Sequence, residues 1–277
     1  MRRRFVEVDV FGSRPFLGNP VAVVVDGSGL DDEEMQRLAR WTNLSETTFV
    51  LPPSDAEADY QVRIFTPGGE LPFAGHPTLG TAHAWLAETE GASRLESVVQ
   101  QCPAGLVRVR RAGGRLSFAA PPLVRYEPVD DQTAEHLAAL LGVGQPDIKA
   151  AQWVDNGPGW VAVVLGTAEE VLRVSPPLED NLSVGVAGRY PSQSEAAFEV
   201  RAFFSRDGSS FEDPVTGSLN ASLAHWFFES GQVDGPYIVS QGTAIGREGR
   251  VYVERDAEGT IWVGGRTVTC VEGVVEL

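Results

Sequence analysis

The 277-residue chain is 43% apolar with a mean hydropathy of −0.09, the values of a globular protein with full cores and room for two domains of ordinary size. A formal net charge of −16 excludes nucleic acid and anionic membrane as partners. No run of apolar residues approaches the roughly 18 of a membrane span, so no membrane partner is expected.

Residues 3–11 alternate in polarity and predict a first strand. The basic flank Arg2-Arg3-Arg4 is followed by a run broken at Glu7 and Asp9, so the start does not read as a signal peptide, and a cytoplasmic location is expected. Gly18-Asn19-Pro20 makes a turn into the buried strand Val21–Val25. Asp31-Asp32-Glu33-Glu34 opens a helix that runs to about Trp41, its acids complementing the helix dipole. Thr47–Leu51 and Tyr60–Phe65 are β-rich. Gly75-His76-Pro77-Thr78 leads into helical spacing at Leu79, Ala82, Trp85 and Leu86. Residues 95–118 read as strands with a Gly113-Gly114 hairpin turn. Ala119-Ala120-Pro121-Pro122 is the expected boundary, giving domains 1–119 and 120–267. In the second, residues 132–141 and about 219–229 predict helices, and Trp160–Leu165, Phe198–Phe204, 236–240, 250–255 and 260–264 predict strands. The last run, about 268–277, alternates and is expected to return to the first domain's sheet. Strands outnumber helices without strict βαβ alternation, so the class is α+β.

The two halves are copies. Shifted by 138, residues 43–78 fall on 181–216 without a gap, with twelve identities in 36 columns where chance gives about two. Asn43-Leu44-Ser45 falls on Asn181-Leu182-Ser183, and Val62-Arg63-x-Phe65 on Val200-Arg201-x-Phe203. The period is too long for a solenoid and reads as two fused domains of similar fold. The copies carry different chemistry: in this alignment Glu46 faces Val184, Gly75 faces Asp213 and His76 faces Pro214. That asymmetry predicts one site, built where the halves meet.

Three loops carry the candidate chemistry. Gly75-His76-Pro77-Thr78 starts a helix, and a helix start offers free N–H groups to an anion. Read blandly, it is only a helix start with His76 as a cap. Asp213-Pro214-Val215-Thr216-Gly217-Ser218 starts another, with Asp213 as the expected N-cap and a capped helix as the bland reading. In Asn43-Leu44-Ser45-Glu46-Thr47-Thr48 the Glu46 carboxyl precedes an apolar strand. Partial desolvation there would raise its pKa and suit it to general acid/base work; a solvated surface glutamate is the alternative. Asn19 and Asn156 lie in turns at nearly matching places and have amides to offer a carboxylate or amine. Cys102 and Cys270 make no disulfide framework and read as core residues, and no metal-ligand spacing appears among four histidines and two cysteines. Lys149 is the sole lysine and sits in a loop-like stretch, which argues against pyridoxal phosphate; no dinucleotide or P-loop fingerprint is present.

Gly18-Asn19-Pro20-Val21-Ala22-Val23, Asn43-Leu44-Ser45-Glu46-Thr47, Phe73-Ala74-Gly75-His76-Pro77-Thr78-Leu79-Gly80, Asp213-Pro214-Val215-Thr216-Gly217-Ser218 and Gly264-Gly265-Arg266, in this order, resemble the phenazine-biosynthesis PhzF-like isomerase family over nearly the whole chain. The resemblance implies the diaminopimelate-epimerase-like fold: two pseudo-symmetric α+β domains, each a sheet around a long helix, with the site in the cleft between them. It implies a cofactor-independent isomerase with Glu46 as proton carrier, and His76 and Asp213 holding the substrate's amino and hydroxyl groups. Gly217 and Ser218 would meet its carboxylate. Ser45, Gly75, Thr78, Asn19 and Asn156 complete the expected binding set, with a small carboxylate as substrate and a homodimer as the assembly. Related racemases of the fold use two cysteines where this chain has Gly75 and Asp213, which excludes a two-thiol mechanism. The chain departs from the family's late Gly-Arg-Pro-Ser with Gly246-Arg247-Glu248-Gly249, which touches the substrate question. The alternatives are an epimerase using Glu46 and Asp213 on opposite faces, and a binding protein on the same fold that has lost turnover.

Overall fold

A computed structural model describes residues 1–175, 182–206 and 209–277. The chain forms two compact units, residues 1–119 with 264–277 and residues 120–263. The first contains β1 (Arg2–Val10), β2 (Asn19–Val24), α1 (Asp32–Thr42), β3 (Glu46–Leu51), β4 (Tyr60–Thr66), β5 (Gly69–Leu71), α2 (Gly75–Glu88), β6 (Ser97–Cys102), β7 (Gly105–Ala112) and β8 (Arg115–Ala119). The second contains β9 (Arg125–Pro128), α3 (Asp131–Leu141), β10 (Ala150–Asp155), β11 (Trp160–Val164), α4 (Ala168–Arg173), β12 (Ser183–Arg189), β13 (Phe198–Arg206), β14 (Ser209–Asp213), α5 (Gly217–Glu229), β15 (Tyr237–Gln241), β16 (Gly249–Arg255) and most of β17 (Ile261–Gly265), whose last two residues lie past the boundary. β18 (Thr267–Glu276) pairs antiparallel with β1 and so belongs to the first unit. The architecture is α+β, and among the described residues no helix is long and apolar enough to cross a membrane.

Local chemistry explains the elements that place the site. Asp31 caps α1 with a reciprocal box, Glu34 N–H to Asp31 Oδ1 at 2.8 Å and Asp31 N–H to Glu34 Oε2 at 3.0 Å. Met35, Leu38 and Ala39 bury one face of α1 against Val24, Phe49 and Phe65. Asn43 ends the helix in the left-handed region at φ 55°, where an asparagine is tolerated, and the chain turns directly into β3. α2 is apolar all round and buried through nearly its whole length, as a helix wrapped by a sheet must be. It touches β1, β2, β3, β6, β8 and β18. Gly80 permits that closeness, since a Cβ there would lie 2.2 Å from Val21 Cγ1. His83 ties α2 to β18 through the hydroxyls of Thr267 and Thr269 at 2.9 and 2.8 Å.

The ladders of the two units match strand for strand. β2 lies parallel to β3, as β11 does to β12. β4 pairs with β3 and β5 antiparallel and β6 parallel, as β13 does with β12, β14 and β15. The identities in Val-Arg-x-Phe have a structural cause. Arg63 grips Glu70 with Nε–Oε1 at 2.8 Å and Nη2–Oε2 at 2.6 Å, and Arg201 grips Glu212 at 3.0 and 2.6 Å. Each guanidinium also covers a phenylalanine, Phe65 and Phe203, at 5.0 and 4.8 Å.

The register corrects the gapless alignment. Phe65 pairs with Glu70 and Phe203 with Glu212, so the copies differ by 138 in β4 and β13 but by 142 in β5 and β14. Three residues then separate strand from helix in both units, which makes Gly217 the counterpart of Gly75 and Ser218 that of His76. Asp213 therefore corresponds to Leu71, not to Gly75 as the 138 shift implied. Asn181, one of the twelve matches, lies outside the described residues. Six of the described elements were not predicted: β5, β9, β10, α4, β12 and β14. β9 is exposed and ends in proline, and β10 and α4 are six residues each. β12 is interrupted by Gly185, which admits Leu219, and by Gly188, which admits the Thr167 carbonyl.

Candidate active site

In the first unit the parallel pairing of β2 with β3 sets Val21 opposite Glu46 and so brings the Asn19 end of β2 beside the first residue of β3. α2 begins at Gly75, and His76, its second residue, reaches the same place. His76 Nε2 lies 3.2 Å from Glu46 Oε2, with side chains only 6% and 14% exposed. The two atoms are close but off the axis of a hydrogen bond. Asn19, wholly buried, has its amide nitrogen 3.4 Å from His76 Nδ1. Burial pushes the imidazole down from 6.5 to about 3, against a weaker opposing pull from a bond to the Pro20 carbonyl. The ring is therefore neutral at ordinary pH and carries one N–H. A bare nitrogen lone pair and a bare carboxylate oxygen repel at 3.2 Å, so the contact favours a proton on one of the two.

The remaining first-unit residues divide. Ser45 is half-buried beside Glu46, and Gly75 supplies the first N–H of α2. No side chain caps that helix, because its N-cap is Ala74. Thr78 is fully buried, and its hydroxyl accepts from Gln100 Nε2 at 2.9 Å.

The second unit gathers Asp213, Gly217, Ser218 and Asn156 at the start of α5. Asp213 closes β14 and is 6% exposed. It is not the N-cap that its place before Pro214 suggested. Thr216 holds that position, and its hydroxyl turns back to donate to Asp213 Oδ2 at 2.5 Å instead of capping the helix. The N–H groups of Gly217 and Ser218 thus begin α5 without a side-chain cap. Ser218 is pinned twice: Trp160 Nε1 donates to its Oγ at 3.1 Å, and Asn156 Nδ2 to its carbonyl at 3.0 Å. Gln241 and Asn220 escaped the sequence reading, and Thr216 and Trp160, named there in a loop and a strand, were given no part in the site. The available signal was a lone Asn220 in the apolar start of α5 and a Gln241 closing the apolar run of β15.

Elsewhere, Cys102 is buried in β6 while Cys270 is only half-buried in β18. Lys149 binds the Pro146 carbonyl, and no group of three or more His, Cys, Asp or Glu able to hold a metal occurs among the described residues.

Known proteins resemble this chain in sequence and fold. The chain is 35% identical over 290 residues to trans-2,3-dihydro-3-hydroxyanthranilate isomerase of Pseudomonas aeruginosa, covering 98% of each chain. The crystal structure of a Bacillus anthracis phenazine biosynthesis protein of the PhzF family superposes with a TM-score of 0.85 at 27% identity, covering both chains in full. A hydroxyproline epimerase from Agrobacterium vitis, 12% identical, shares the fold with a TM-score of 0.62 over 99% of this chain and 92% of that one. Fold and relatives define a PhzF-like isomerase of diaminopimelate-epimerase-like architecture. The chain belongs to the phenazine biosynthesis-like protein family, whose model matches residues 8–273.

Proposed function

We propose that this isomerase moves a proton between carbons of a small, carboxylate-bearing amino or cyclic substrate, without a cofactor, and that Glu46 is its general acid/base. The observation that carries the reading is the buried Glu46–His76 contact at the start of α2. A carboxyl shielded from water and beside a neutral imidazole is suited to take a C–H proton and return it elsewhere. In this reading Asp213 and His76 hold the substrate's amino and hydroxyl groups, and the opening N–H groups of α5 at Gly217 and Ser218 take its carboxylate.

The epimerase alternative makes Asp213 a second proton carrier. The short bond that Asp213 Oδ2 accepts from Thr216 favours a fixed anchor over a group that gains and loses protons. Glu46→Gln tests the reading with trans-2,3-dihydro-3-hydroxyanthranilate in D2O. Wild type should incorporate deuterium at carbon and the variant should lose at least about a hundredfold in rate; undiminished exchange removes Glu46 from the mechanism. A homodimer remains the proposed assembly, and sedimentation measures it.

A further inference from the structure

We propose that Thr216 and Gln241 are positioning residues for the reaction, acting through Asp213; the inference rests on the reading of Asp213 as the substrate's anchor. A chain of forced choices leads there. The Thr216 backbone N–H can only donate, and it meets Gln241 Oε1 at 3.1 Å. Asn220 Nδ2 donates to the same oxygen at 2.9 Å. Those two donors fix the amide the one way round, which leaves Gln241 Nε2 to donate to Thr216 Oγ1 at 2.9 Å and to the Asp213 carbonyl at 3.3 Å. A hydroxyl that accepts from an amide has its own hydrogen to give, and Thr216 gives it to Asp213 Oδ2. Asp213 is thereby an acceptor at that oxygen, with its rotation about Cβ–Cγ fixed.

The network is sealed. Thr216, Asn220 and Gln241 are exposed by 4%, 1% and 0%, so water does not compete for these bonds. Asn220 Nδ2 also donates to the Thr216 carbonyl at 2.8 Å, tying the first turn of α5 to the same amide. The first unit keeps a related brace, with Gln100 Nε2 on Thr78 Oγ1 at 2.9 Å and Tyr60 OH on Gln100 Oε1 at 3.2 Å. It holds no carboxylate at the place of Asp213, where Leu71 stands. Only the second unit extends the brace to a charge.

The test is steady-state kinetics with trans-2,3-dihydro-3-hydroxyanthranilate on Thr216→Val, Thr216→Ser, Gln241→Met and Asp213→Asn, alongside melting curves. Thr216→Val should lose about 10- to 100-fold in kcat/KM, mostly in kcat, because a carboxylate free to rotate still attracts the substrate but no longer holds it in one orientation. Thr216→Ser, which restores the hydroxyl, should recover to within about threefold of wild type. Gln241→Met should act like Thr216→Val and add little to it. Asp213→Asn crippled with Thr216→Val fully active overturns this inference alone; an unimpaired Asp213→Asn sinks the anchor reading as well. Crystals of Thr216→Val give a readout free of any substrate: the Asp213 carboxylate should rotate, and an unmoved carboxylate overturns the proposal.

Discussion

His76 sits where a charge is hardest to keep. Its ring is enclosed by the start of α2, the Asn19 turn and Glu46, and burial takes its pKa down to about 3 against the weaker pull of the Pro20 carbonyl. The unfolded chain binds the proton near pH 6.5 and the folded one does not until about pH 3. The contribution of this residue to folding stability is therefore most favourable above pH 6.5 and declines as the pH drops toward 3. At pH 5 this residue's share is about 2 kcal/mol. Burial lowers His83 and His225 in the same direction. Urea unfolding at pH 7.5 and pH 5.0 measures the effect. His76→Asn should lose less stability between the two than wild type by about that amount; identical losses would mean that the imidazole is solvated. The residue itself was legible from the sequence, since a histidine before a proline at a helix start is conspicuous. Its neutrality was not, because it depends on Asn19 and Glu46, 57 and 30 residues away along the chain.

At the scale of elements, the twin arginine bridges explain why Val-Arg-x-Phe survived in both copies while the loops diverged. They are not equivalent in energy. Arg201 and Glu212 are 4% and 5% exposed, and Arg201 Nη1 also binds the carbonyls of Val171 and Val174 at 3.2 and 2.7 Å. Removing the guanidinium leaves Glu212 buried with that grip gone, so Arg201→Ala should cost about 3–5 kcal/mol. Arg63 is 20% exposed with Glu70 at 30%, and its other partner, Asp32, is in water at 84%. Arg63→Ala should cost about 1 kcal/mol. Guanidinium unfolding of the two variants checks the contrast, and equal losses would show that burial does not set the strength of these pairs. The arginines were visible in the repeat, but their glutamates were not. A shift of 138 carried on from β4 hides them, whereas a shift of 142 sets Glu70 on Glu212, Pro72 on Pro214, Gly75 on Gly217 and His83 on His225, the register that strand pairing shows.

For the molecule as a whole, β18 is a late segment that completes an early sheet. Nine residue pairs join it to β1, and its threonines hold His83. A chain lacking residues 267–277 should lose amide protection in β1 and β2 while β11, β12 and β13 keep theirs; hydrogen exchange reads this directly. Uniform loss in both units would show that the first unit's sheet is not what β18 sustains. The sequence by itself determined the α+β class, the duplication, the family and the residue types at the three loops. These follow from local rules of periodicity, capping and turn chemistry, together with motifs contiguous in the chain. Only the tertiary structure decided which side chains meet. The Glu46–His76 contact and the amide that orders Thr216 against Asp213 both join residues far apart in sequence. Such contacts are set by strand pairing and burial, which leave no periodic trace in the chain.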